Sequence, residues 1–237
     1  MHFKFSLSDM KATNTLHSLV IGFIFFSFAT AENLQPDKFT QDKLTPDSVL
    51  AELKEGNARY IKEELTASNL KERIKKANEG QFPKAYILSC VDSRVPAEQV
   101  FDQGLGDVFV GRVAGNVENE DQLGSMEYAS AVAGVKLIVV MGHESCGAVK
   151  SACDDVKLGN ISSLLQKIRP AVRSVEGYAD KSSKDKEFVK SVIKSNVMMT
   201  IQDIRSRSEV LHGLEKEGKV KIVGAYYNLK DGKVEFL

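Results

Sequence analysis

Four short apolar runs, Lys84 to Ser89, Val108 to Val113, Lys136 to Met141 and Lys221 to Tyr226, are separated by stretches long enough for helices near residues 96–102, 121–133, 147–157 and 186–206. Strands alternating with helices predict a parallel sheet, because a parallel return needs a long crossover where an antiparallel one needs only a tight turn. The carboxyl end breaks that pattern. Asp231-Gly232 is a hairpin turn signal, so the last strand is expected to be antiparallel and to lie at the sheet edge. Ahead of the sheet, Thr45-Pro46-Asp47 opens a helix expected to reach about Glu64, with Val49, Leu50, Leu53 and Ala58 on one side, and a second helix is expected over Leu70 to Ala77. The expected fold is α/β: a mostly parallel sheet flanked by helices, with an antiparallel C-terminal edge hairpin and an N-terminal helical extension.

A chain of 237 residues holds one substantial core, and a prior of about 150 residues per domain does not force a division. The expected single domain covers residues 47–237. Residues 32–46 read as a polar lead without apolar period, expected to be mobile or draped over a neighbour. Before them, Lys4 and Lys11 precede an apolar stretch from Leu16 to Phe28 and then Ala29-Thr30-Ala31. That order is the pattern of a secretory signal peptide over residues 1–31, cleaved after Ala31; the alternative is an uncleaved anchor, for which the apolar stretch is short of the about 20 residues of a membrane span. Export, to a compartment such as a bacterial periplasm, is the expectation. Lys plus Arg and Asp plus Glu balance at 32 each, so no net field draws the chain to nucleic acid. Six of its twelve Phe precede Ala31, which leaves the rest of the chain without a stacking surface for single strands.

Two segments carry the chemistry. Cys90-Val91-Asp92-Ser93-Arg94 follows the first apolar run, and His143-Glu144-Ser145-Cys146 follows the third. In open α/β sheets ligands bind beyond the carboxyl ends of strands, where these residues are expected to lie. Two thiols, an imidazole and a carboxylate are the donor types zinc takes in tetrahedral geometry. Cys90, His143 and Cys146 are expected as fixed ligands, with Asp92 either completing the shell or swung aside for water. Arg94 lies close enough in the loop to pair with Asp92 through two hydrogen bonds. The remaining thiol, Cys153, is expected to be a packing residue.

Cys-Val-Asp-Ser-Arg-Val followed by Gly-His-Glu-Ser-Cys-Gly-Ala-Val resembles the zinc signature of the β-class carbonic anhydrases. The likeness extends over residues 47–237, through Gly80-Gln81-Phe82-Pro83, Gly106-Asp107-Val108-Phe109-Val110, Arg112-Val113-Ala114-Gly115-Asn116 and Glu127-Tyr128-Ala129. It implies a zinc cofactor and reversible hydration of carbon dioxide to bicarbonate. Arg94 then holds Asp92 off the metal, and Asp92 accepts a hydrogen from the attacking water. By the same resemblance Gln81 donates to a substrate oxygen, while Val95, Phe109 and Tyr128 line an apolar substrate pocket. Amino-terminal helices that pack across a partner subunit, in a homodimer or a higher homo-oligomer, are implied too. Two thiolates give zinc more charge than imidazoles would, which predicts a preference for mildly alkaline pH. The chain departs from the family in two places: it has no Trp for the pocket that regulates the bicarbonate-inhibited subgroup, although Arg112 fits that pocket's Arg, and it has Val113 where many relatives have Asn.

Two other readings use the same ligands. A hydrolase of carbonyl sulfide or carbon disulfide would differ in access to the pocket. A non-catalytic zinc module would have a closed four-ligand site, and such a site has no use for a carboxylate held aside by an arginine.

Overall fold

The computed structural model describes residues 36–237, and the leader expected over residues 1–31 lies outside them. Strands Ala85–Ser89 (β1), Val108–Arg112 (β2), Leu137–His143 (β3), Lys221–Tyr227 (β4) and Val234–Phe236 (β5) form one sheet in the order β2-β1-β3-β4-β5. The first four are parallel. β5 runs antiparallel to β4 at the edge, as the Asp231-Gly232 turn requires.

Side chains alternate across a strand, so each strand feeds both faces of the sheet. Tyr86, Leu88, Ile138, Val140 and Ile222 pack on one face with Val197, Ile201 and Ile204 of helix Lys186–Arg207. Ala85, Ile87, Leu137, Val139 and Met141 pack on the other with Val49 and Leu53 of helix Pro46–Ile61. Numbered along the chain, the helices are α1 (Lys38–Lys43), α2 (Pro46–Ile61), α3 (Leu70–Ala77), α4 (Ala97–Val100), α5 (Glu120–Glu127), α6 (Gly147–Cys153), α7 (Gly159–Ser174), α8 (Lys186–Arg207) and α9 (Glu209–Lys216). The start of α2 is strongly marked: the Thr45 side chain accepts from Ser48 N–H, the Ser48 side chain accepts from Thr45 N–H, and Pro46 occupies the first turn. Among the described residues no helix is long and apolar enough to cross a membrane.

Three findings differ from the sequence reading. Part of the polar lead folds as α1, capped by Asp37, and is fastened by buried Gln41, whose Nε2 donates to Pro83 O at 2.7 Å and Ala133 O at 2.8 Å. Tertiary hydrogen bonds hold this segment, which is why hydrophobic period gave no sign of it. The second is α7, unexpected because Pro170 interrupts its pattern, although Leu165, Ile168 and Ala171 share its buried side. The third is α9, which Ser208 caps immediately after α8. The helix expected over residues 121–133 spans α5 and continues as a π-helical turn over Tyr128–Val132.

Candidate metal centre

β1 connects to β2 on one side of it, and β3 adds on the other, so the connections diverge between β1 and β3. That divergence opens a crevice at the carboxyl ends of the two strands. Cys90 leaves β1 at this crevice, His143 is the last residue of β3, and Cys146 caps α6. All three are buried, and their donor atoms lie within 4.8 Å of one another. Ser145, in the left-handed region at φ 56°, makes the bend that returns the chain from His143 to Cys146.

Hydrogen bonding orients each donor. His143 Nδ1 lies 2.9 Å from the Glu144 carbonyl oxygen; donating there puts the proton on Nδ1 and leaves the Nε2 lone pair free. Nε2 is buried and has no hydrogen-bond partner. An unpartnered buried nitrogen aimed at two thiols is costly in an empty fold and expected in a ligand shell. Cys90 Sγ and Cys146 Sγ are 4.0 Å apart. The hydrogen bond between them lowers the Cys90 thiol below its ordinary range, and the same bond, with burial, holds the Cys146 proton well above it. The pair therefore yields one thiolate readily and keeps one proton until a cation displaces it.

Asp92 and Arg94 pair as their spacing predicts. Arg94 Nε and Nη2 donate to Asp92 Oδ1 and Oδ2 at 2.9 and 2.7 Å, and Arg94 N–H adds a bond of 3.0 Å to Oδ1. The Arg94 side chain holds the Asp92 carboxyl well below the usual carboxylate range. Asp92 Oδ2 stands 3.8 Å from His143 Nε2, outside bonding distance but facing the donor cluster.

Gln81, Phe109 and Tyr128 lie away from the donors, while Val95 follows Arg94 in the loop and donates its N–H to Asp92 O at 3.1 Å. Val95 is wholly buried in the core between the sheet and α2. Gln81 Nε2 reaches Tyr128 Oη at 3.5 Å, and the Phe109 and Tyr128 rings are 6.4 Å apart. Phe109 pairs with Tyr86 on β1, four residues before Cys90, or about 13 Å along a strand at about 3.3 Å per residue. The shallow concavity at the β2 edge lined by Phe109, Tyr128 and Arg112 includes none of the three donors.

Supporting residues that spacing did not single out surround Cys90. Arg112 Nε donates to Cys90 O at 2.9 Å and Nη2 to Asp92 O at 2.5 Å, bracing the loop between the two functional residues. Gly115 N–H points at Cys90 Sγ from 3.4 Å, and buried Asn196 of α8 donates to Gly115 O at 2.8 Å. Gly115 sits at φ 71°, and a Cβ there would meet Ile168 Cδ1 at 2.6 Å, so glycine alone brings this amide to the sulfur. Arg112 and Gly115 fall inside a run that resembled the family; the one sign of Asn196 was an amide in an apolar stretch of helix.

The carbonic anhydrase family profile matches residues 85–234. A carbonic anhydrase of Mycolicibacterium smegmatis is 41% identical over 189 residues, covering 77% of this chain and 89% of that one. Carbonic anhydrase 2 of Mycobacterium tuberculosis is 39% identical over 188 residues, 76% of this chain and 87% of that one. Among solved structures, a β-carbonic anhydrase of Aspergillus fumigatus aligns at TM-score 0.60 and 25% identity, over 85% of this chain and 91% of that one. One of two tetrameric β-carbonic anhydrases from Sordaria macrospora aligns at TM-score 0.61 and 24% identity, over 69% of this chain and 85% of that one. With the donor cluster and the sheet order agreeing with this kinship, the chain belongs to the carbonic anhydrase family and to its β class.

Proposed function

We propose that this enzyme catalyses the reversible hydration of carbon dioxide to bicarbonate and a proton, using zinc held by Cys90, His143 and Cys146. The observation that carries the reading is the convergence of two thiols on an unpartnered Nε2, with a carboxylate held just aside. The donor set fits the ion. A tetrahedral centre with Zn–S bonds of about 2.3 Å places two sulfurs about 3.8 Å apart, and the two here are 4.0 Å apart.

When bound, zinc in such a shell supplies a water acidified enough to act as a nucleophile near neutral pH. The chain's own residues do the rest. Arg94 occupies both oxygens of Asp92 and keeps the carboxylate from completing the metal shell. Asp92 Oδ2, facing the cluster, accepts a hydrogen from the attacking water and turns its lone pair toward the substrate carbon. His143 keeps its proton on Nδ1 against the Glu144 carbonyl, so Nε2 serves the metal throughout.

A homo-oligomer belongs to the same proposal. β2 is an edge strand whose Val108, Phe109 and Val110 are only half buried in a single chain. An open apolar edge favours pairing with another copy. Gln81, Phe109 and Tyr128 can serve the substrate only if that second copy carries them to a neighbouring metal centre.

Stopped-flow carbon dioxide hydration with zinc measured on the same sample tests the proposal. Wild type should carry about one zinc per chain, and its rate should rise between pH 7 and about 8.5 as the acidified water titrates. Cys146→Ser should lose most zinc and all activity, while Cys153→Ser keeps both. Full zinc content in Cys146→Ser removes the site, and faster hydrolysis of carbonyl sulfide or carbon disulfide reassigns the substrate.

A further inference from the structure

Behind the Glu144-Ser145 link the surface folds into a concavity of about 510 Å³. Five lysines line it from separate parts of the chain: Lys150 of α6, Lys184, Lys186 and Lys190 at the start of α8, and Lys230 in the turn after β4. Two glutamates oppose them. Glu144 is paired with Lys230 at 3.3 Å, and Glu187 is the other. Among the described residues Lys150, Lys184, Lys186 and Lys190 have no carboxylate within 4.0 Å, although Asp154, which accepts from Ser183 N–H, acts on Lys150 and Lys184 from further off, and Asp180 acts on Lys184.

This arrangement has two costs that the neighbouring carboxylates offset only in part. Ammonium groups gathered around one concavity repel each other. Lys184 and Lys186 also flank Asp185, the N-cap of the 22-residue α8, where cations oppose the helix dipole and anions are favoured. Asp185 and Glu187 answer part of that field, but the wall keeps five lysines against two glutamates. A local preference broken without structural gain marks a functional surface.

We propose that the concavity binds a phosphate chain, two or three linked phosphates carrying several negative charges. Such an anion would relieve the repulsion and meet the helix amino end, while Ser145, Ser183 and Asn228 on the wall supply neutral hydrogen-bond donors. The volume lies within the usual range for a small-molecule site, about 300 to 1,000 Å³, and exceeds what a single phosphate fills. The site is separate from the metal donors and does not depend on the proposed reaction. It does share one residue, Glu144, with the metal loop, whose carbonyl orients His143.

The test is calorimetric titration of the zinc-loaded protein with inorganic tripolyphosphate, pyrophosphate and phosphate, at ionic strength fixed with sodium chloride. Tripolyphosphate should saturate at one per chain and bind more tightly than pyrophosphate, with phosphate weakest. Lys186→Gln combined with Lys190→Gln should weaken tripolyphosphate at least tenfold, leave carbon dioxide hydration unchanged, and raise the thermal midpoint of the anion-free protein as the repulsion is relieved. An adenosine triphosphate arm separates free from nucleotide-borne phosphate: tighter binding than tripolyphosphate assigns the chain to a nucleotide. Heats indistinguishable from those of added chloride would overturn the proposal. So would equal affinity in the double variant, which would place the anion on the metal instead.

Discussion

With Arg94 Nε and Nη2 at 2.9 and 2.7 Å, the Asp92 carboxylate has both oxygens occupied while Oδ2 stays 3.8 Å from His143 Nε2. A small side-chain rotation would exchange one partner for the other. Arg94→Ala is therefore expected to leave Asp92 in the metal shell, with zinc still near one per chain and hydration almost abolished. Elemental analysis and stopped-flow rates on one sample check this, and full activity in the variant would make Arg94 a surface charge. The effect is geometric rather than a change of charge. The Asp92 carboxyl is lowered in the fold, chiefly by the Arg94 side chain, so its contribution is complete above the unfolded value of about 3.9 and disappears only as pH falls through the lower folded one. Any inflection of rate near neutral pH then belongs to another group. The donor residues and the Asp92–Arg94 pair were legible in the sequence because each motif is contiguous and its geometry local. The bracing of Cys90 was not: Arg112, read only as the Arg of the regulatory pocket, bonds the Cys90 carbonyl, Gly115 offers its amide to Cys90 Sγ, and Asn196 holds the Gly115 carbonyl, so each contact has a main-chain partner that leaves no mark in residue identity.

At the scale of elements, Asn57 shows how α2 is tied to the sheet edge. Its Nδ2 donates to Val100 O at 3.1 Å and Gly232 O at 2.9 Å, and its Oδ1 accepts from Val234 N–H at 2.9 Å. One buried amide thus joins α2, the end of α4 and the hairpin before β5. Asn57→Ala leaves these groups without partners, at a cost of about 2 to 4 kcal/mol. Urea unfolding should show the midpoint falling with an unchanged slope, and an unchanged midpoint would mean that water replaces the amide fully. Strands were legible because all four long runs are apolar and flanked by breakers, and β1 to β4 shift by only a residue or two from the expected bounds. Helices held by a few polar contacts were not. Gln41 fastens α1 through carbonyls far along the chain, and Pro170 hides the continuity of α7.

For the whole molecule, the open edge at β2 predicts association. Sedimentation velocity at micromolar concentration should give at least twice the chain mass, and a fully active monomer would remove Gln81, Phe109 and Tyr128 from the substrate pocket. The placement of the donors has a consequence for assembly as well. Cys90 belongs to the end of β1, whereas His143 and Cys146 belong to the end of β3, and the two strands meet only through the register that pairs Ala85 with Leu137 and Leu88 with Val140. No cage exists until those strands align. The ion therefore binds the folded chain in preference to the unfolded one, and each tenfold rise of free metal above its dissociation constant adds about 1.4 kcal/mol to the folded side. Metal supply is therefore expected to set how much of the chain is folded as well as how much of it is active.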